Sequence, residues 1–204
     1  MRNFIIEQFY KQRSDFEKSC VEREQKYPLP DGVKCTENIA YAADDKEHRL
    51  DVYRPESMKG KVLPIVINVH GGGLLLGNKE FNRGFCALLC KKGFLVYSME
   101  YRLVPDCKIF DQFRDVFSAM NFVKEHAVED GGDLSHVYMV GDSGGACLIT
   151  YTNAIQNNRK IAQAAGVRPS NLKVNALGLI SGMFYTAKFD KIGMFLPKLS
   201  LIHI

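Results

Sequence analysis

The chain has 204 residues, 46% of them hydrophobic and 25% charged. That is room for one α/β domain with a real core and too little for two. Its formal net charge is only +4, with basic residues never more than two in a row, as at Lys91-Lys92, which excludes a nucleic-acid surface of interleaved basic and aromatic side chains.

The N-terminal Met1-Arg2-Asn3-Phe4-Ile5-Ile6-Glu7 is charged within a few residues, so it reads as neither a signal peptide nor a membrane anchor, and the expected setting is cytoplasmic. Residues 3–26 predict an amphipathic helix, with Phe4, Ile5, Phe9, Phe16 and Val21 among many charges; Pro28-Leu29-Pro30-Asp31-Gly32 breaks it. Residues 34–42 and 49–54 predict an antiparallel hairpin turned through 44–48. The apolar run 63–69 predicts a strand covered on both faces. After Gly71-Gly72-Gly73, residues Phe81, Phe85, Leu88 and Leu89 repeat at helical spacing until Gly93. A strand at 94–99 follows, then a helix at 110–128 with Phe113, Val116, Phe117, Met120 and Val123 on one stripe. Residues 137–140 predict a short buried strand, a helix runs from there to about Asn158, and 174–180 predicts one more strand. Such alternation is the pattern of a doubly wound, mostly parallel α/β sheet in a single domain. Cys20, Cys35, Cys86, Cys90, Cys107 and Cys147 are irregularly spaced. Cys86 and Cys90 lie one helical turn apart but have no matching second pair, so the six read as buried free thiols, with neither disulfides nor a metal site.

The chemistry centres on 136–146. A short strand runs directly into Gly141-Asp142-Ser143-Gly144-Gly145, and a helical pattern begins at once. Strand, Gly-x-Ser-x-Gly, helix is a nucleophile elbow, a turn so tight that its flanks must be glycine or very small. Ser143 is therefore the candidate nucleophile, at the positive end of a helix. Acyl transfer also needs donors for the oxyanion. Gly144 N–H is one, and the glycine run after the 63–69 strand brings in Gly72 and Gly73. His70 reads as a loop-holding residue rather than the base, and Asp142 as structural. Asp115 reads as a partner for a nearby loop or arginine, Arg102 among them. His48 and His126 read as surface residues and His136 as packing or capping.

The motifs His70-Gly71-Gly72-Gly73, Tyr101-Arg102-Leu103 with Pro105, and Gly141-Asp142-Ser143-Gly144-Gly145 occur here in that order. Over about residues 30–185 the chain resembles the hormone-sensitive-lipase-like esterases and lipases of the α/β-hydrolase fold, bacterial acetyl esterases among them. Two departures are mild. Gly144 stands where relatives often have alanine, and the loop after Pro105 lacks a second proline. The resemblance implies hydrolysis of small-molecule carboxylic esters with short acyl groups, through an acyl-enzyme, with no cofactor and no metal. It also implies that residues 1–30 contribute to a cap and 31–204 form the hydrolase core. Family members carry the triad acid and histidine after the nucleophile, each on a loop behind a later strand. Only 61 residues follow Ser143, with one predicted strand; Asp190 and His203 are the only Asp and His among them. The expectation is an incomplete α/β-hydrolase domain lacking its last strands and helices. Its acid and base are either absent or are Asp190 and His203, and an unpaired sheet edge is left behind. A truncated, non-catalytic domain is the competing reading. Two other rivals fail on context. A chymotrypsin-like protease would share Gly-Asp-Ser-Gly-Gly but not the helix after it. A dinucleotide site at Gly71, Gly73 and Gly77 lacks the Gly-x-Gly-x-x-Gly spacing.

Overall fold

A computed structural model describes residues 2–43 and 46–184. Among them, six strands form one sheet in the order β1-β2-β4-β3-β5-β6. The strands are β1 (Val33–Ala40), β2 (Arg49–Pro55), β3 (Leu63–Val69), β4 (Leu95–Met99), β5 (Gly132–Asp142) and β6 (Ala176–Ile180). β1 and β2 form the expected antiparallel hairpin, β2 pairs antiparallel with β4, and β4, β3, β5 and β6 run parallel. The helices are α1 (Arg2–Lys26), α2 (Arg83–Lys91), α3 (Ile109–His126), α4 (Gly144–Asn157) and α5 (Arg159–Ala165).

The continuous apolar run of β3 has the cause anticipated for it: both faces are covered. Ile65, Ile67 and Val69 point with Leu95, Tyr97 and Met99 into a core shared with Val116, Met120, Leu148 and Ile149 of α3 and α4. Val66, Val96 and Tyr53 point the other way, onto Cys86 and Cys90 of α2. The sheet is thus doubly wound, and the ends of β3, β4 and β5 meet on one side, where such sheets carry their sites.

Three elements differ from the sequence reading. β5 begins at Gly132, five residues early, because Leu63 and Pro64 pair with Gly132 and Asp133 before the register shifts and Ile65 pairs with Val137. The residues left over at that bulge carry a local cluster in which Asp133 accepts from the Ser135 hydroxyl at 2.5 Å and contacts His136 Nδ1 at 2.7 Å. Of packing or capping, the exposed His136 therefore does the second kind of work, holding the bulge through Asp133. α5 is additional: the Asn158 side chain accepts from Lys160 and Ile161 N–H and restarts the helix, and Gly166 at φ 60° ends it. β6 starts at Ala176, two residues late, and is the outermost strand on its side among the described residues, with Leu179 and Ile180 each 43% exposed.

α1 lies against the loops that follow β3 and β4. Its inner face is Phe9, Arg13, Phe16 and Cys20, spaced at three to four residues, with Phe9 and Cys20 buried. Phe16 packs on Phe81 at a ring distance of 4.9 Å. Arg13 reaches three oxygens at once: Leu75 O at 3.1 Å, Val104 O at 2.8 Å and Asp106 Oδ2 at 2.5 Å.

Candidate active site

β5 delivers Asp142 and α4 starts at Gly144, so the whole change of direction falls on Ser143, at φ 48° and ψ −110°. That left-handed conformation is one that residues with a Cβ avoid. It persists because its surroundings leave no alternative. A Cβ on Gly141 would lie 2.6 Å from Gly145 C, and one on Gly145 would lie 2.1 Å from Val69 O. Ser143 N–H donates to Ile180 O at 2.8 Å and its carbonyl accepts from Cys147 N–H at 3.2 Å, so the turn is tied both to β6 and into α4. Ser143 stands at the N-cap of α4, where the amides of the first turn have no partner within the helix.

The second wall is the loop after β3. His70 is wholly buried; Nε2 faces Glu100 Oε1 at 2.9 Å, Nδ1 faces Gly71 O at 2.8 Å, and the ring stacks on Tyr101 at 4.2 Å. Both nitrogens are engaged in holding the loop, as read from sequence, and neither is available to a serine. Tyr101 O–H donates to His70 O at 2.8 Å. Burial, with Glu100 and Asp142 nearby, keeps that phenol far above its ordinary range and therefore neutral. Glu100 is the hub of this wall, since it also accepts from Lys79 N–H at 3.1 Å. Asp142 joins the two motifs: its Oδ1 accepts from Gly71 N–H at 2.9 Å and from Asn82 Nδ2 at 2.8 Å.

The glycines then bring the backbone to the nucleophile. Gly72 and Gly73 sit at φ 112° and 63°, and Leu74 continues the left-handed run at 71°. A Cβ on Gly144 would lie 3.1 Å from both Gly73 N and Leu74 N. The structure thus brings Ser143, Gly144 and Gly73 together, with Gly72 one residue earlier, its carbonyl accepting from Leu75 and Leu76 N–H at 3.1 Å. It also explains the tight fit of any larger residue at 144.

Behind this wall, Arg102 and Asp115 pair as expected. Nη2 lies 2.6 Å and Nε 3.0 Å from the carboxylate, and Arg102 N–H adds a bond at 3.1 Å. His48 is a correction. It is not a surface residue: its side chain is 12% exposed, with Nε2 3.2 Å from Asp115 Oδ1. His126 caps its own helix through Phe122 O at 2.9 Å. The four described histidines therefore all have partners away from Ser143. Asp190 and His203 lie outside the described residues.

A buried ion pair went unread in the sequence: Lys79 Nζ is 3.0 Å from Asp51 Oδ1, with Lys79 also contacting Glu80. Burial pushes the Asp51 carboxyl up against the pull of Lys79. Asp51, flanked by Leu50 and Val52 in β2, was the available signal. Asn82, Glu100 and Gln112 gave none. All six cysteines are free, and burial pushes the Cys147 thiol, one turn from Ser143, up to about 11. No cluster of three His, Cys, Asp or Glu placed to hold a metal occurs among the described residues. No described helix is long and apolar enough to cross a membrane.

Two cavities lie at opposite ends of the sheet. One of about 350 Å³ lies between α1 and the loops after β3 and β4, lined by Arg13, Asn78, Glu100, Arg102 and Asp106. A larger one, about 690 Å³, surrounds Arg54 at the opposite ends of β3 and β4. There the guanidinium is occupied by the Asp130, Met58 and Lys61 carbonyls. Neither is lined by Ser143; the first lies at the end of the sheet where β5 delivers that residue.

A mostly parallel sheet whose strand β5 runs into a strained serine beside a glycine-rich loop defines an α/β-hydrolase. Residues 50–187 match the BD-FAE family model, and the chain belongs to that family. It is 31% identical, over 71% of its length, to a probable isoprenylcysteine alpha-carbonyl methylesterase of Arabidopsis thaliana. It is 32% identical, over 50% of its length, to the 3-O-acetylpapaveroxine carboxylesterase of Papaver somniferum. Among solved structures it superposes on esterase B of Lactobacillus rhamnosis, inhibited by a tributyrin phosphonate, with a TM-score of 0.87 and 26% identity over 97% of this chain. The match covers 30% and 38% of the two plant proteins and 65% of the bacterial esterase.

Proposed function

We propose that this chain is a carboxylic-ester hydrolase that acts on short-chain acyl esters, acetyl esters among them, through a covalent acyl-enzyme on Ser143. The observation that carries the reading is the placement of Ser143 at a left-handed φ of 48°, with the Gly73 and Leu74 amide nitrogens 3.1 Å from the Cβ position of Gly144. Ser143 Oγ attacks the acyl carbon and gives up its proton to a base. The carbonyl oxygen takes the charge and is met by N–H groups of Gly72, Gly73 and Gly144, and the alcohol leaves as the tetrahedral species collapses. Water then cleaves the acyl-serine. The acceptor of the serine proton is not one of the four described histidines. In chain order it falls to His203, with Asp190 as its acid, or to a group outside this chain. Preference for short acyl groups is supported by two of the similar proteins, one inhibited by a tributyrin phosphonate and one named for an O-acetylated substrate.

The test is turnover of p-nitrophenyl acetate with labelling by a fluorophosphonate. Ser143→Ala should lower turnover by about a thousandfold or more and abolish labelling. Neither turnover nor labelling in the wild-type chain would favour a non-catalytic domain that keeps the fold.

A further inference from the structure

Gln112 is a polar residue on the inner face of α3, among Phe113, Val116 and Phe117, and it is wholly buried. Its Nε2 donates to Leu74 O at 3.0 Å and to Arg102 O at 2.9 Å, while its Oε1 has no hydrogen-bond partner among the described residues. An apolar side chain would fill the same space without burying an unpaired oxygen. What the carboxamide does is therefore to be sought at its nitrogen. The peptide it grips is the one that leaves the oxyanion glycines. Leu74 carries a Cβ yet sits at φ 71°, and its amide nitrogen lies as near the Gly144 Cβ position as that of Gly73. Val104 N–H donates to the same Leu74 carbonyl at 3.0 Å, so the carbonyl of this strained residue is held by two donors from two different elements.

We propose that Gln112 is a positioning residue for the oxyanion hole: by holding the Leu74 carbonyl it fixes the Gly73–Leu74 backbone in the left-handed turn that faces Ser143. It touches no reacting atom and acts through the backbone carbonyls it holds. The inference rests on Ser143 being the nucleophile, and the experiment separates the two. Wild type, Gln112→Met and Gln112→Glu are reacted with a fluorophosphonate, and the rate constant and final stoichiometry are read separately, alongside kcat and KM for p-nitrophenyl acetate. Methionine keeps the length without donors; glutamate puts a carboxylate against two carbonyl oxygens. Both variants should label to full stoichiometry, with a rate constant and kcat lowered about tenfold to a hundredfold and KM within about twofold, less than the loss of a whole oxyanion donor. Reduced stoichiometry at an unchanged rate constant would make Gln112 a packing residue only and overturn the inference. So would a rate within about twofold of wild type in either variant. A wild-type chain that does not label at all overturns the function proposed above and this inference with it. If Gln112→Met is too poorly folded to label, Gln112→Glu decides.

Discussion

The β5–α4 junction and helix α1 flank the same site, and they are held by different forces. At the junction the backbone is fixed by crowding. A Cβ on Gly145 would lie 2.1 Å from Val69 O, and one on Gly72 would lie 1.9 Å from Leu76 O. α1 is fixed by a few side chains instead: Phe9 and Cys20 in the groove, Arg13 on three oxygens, and Tyr10 O–H on Asp106 Oδ1 at 2.5 Å. Crowding is all-or-none, because no rotamer change makes room for an atom against a main-chain carbonyl. A side-chain clamp is graded, and losing one contact leaves the others.

That contrast can be broken at either end. Gly145→Ala should cost about 3 kcal/mol or more, read from the urea midpoint; a loss under about 1 kcal/mol would mean the junction can relax after all. Asp115→Asn tests the case between, a buried carboxylate serving Arg102, His48 and a backbone amide. Because the Arg102 side chain is 35% exposed, the cost should be about 2 kcal/mol, below the range for a fully buried pair. Arg13→Ala should cost about 1 kcal/mol in global unfolding, yet make α1 the first site of proteolytic nicking. Equal resistance to protease in mutant and wild type would show that Phe9 and Cys20 suffice.

The smallest effect is one of pH. Burial raises the Asp106 carboxyl, but hydrogen bonds from Tyr10 and Arg13 outweigh it and leave the group below its ordinary value. A depressed folded value gives stability that is present above the unfolded value of about 4 and lost as pH falls through the folded one. The urea midpoint of wild type should therefore exceed that of Asp106→Asn at pH 7, with the gap closing below about pH 4. A gap that persisted at pH 3 would mean the asparagine disturbs packing instead.

The same contrast explains what could be read from sequence. Crowding leaves a mark in the chain, since only glycine fits at 72, 141 and 145, and so the tight turn before α4 and the glycine loop after β3 were legible as backbone features. Burial on both faces leaves one too, which is why β3 was placed to the residue. Side-chain clamps leave none. Nothing in the spacing pairs Arg13 with Leu75, Gln112 with Leu74, or Lys79 with Asp51, because each partner lies on another element, brought near only by the fold. His48 was misread for the same reason: it sits in a turn, but the turn folds back onto Asp115. α5 was missed because Asn158 serves as the end of one helix and the cap of the next.

Cys20 gives α1 a clock of its own. It is 3% exposed and sits between the helix and the segment carrying Glu80, and burial, ahead of any neighbouring charge, pushes its thiol up. A maleimide can reach that sulfur only in the moments when the helix has lifted. The rate of mass gain at Cys20 therefore counts how often the wall of the site opens, in a protein that needs no engineered cysteine to report it.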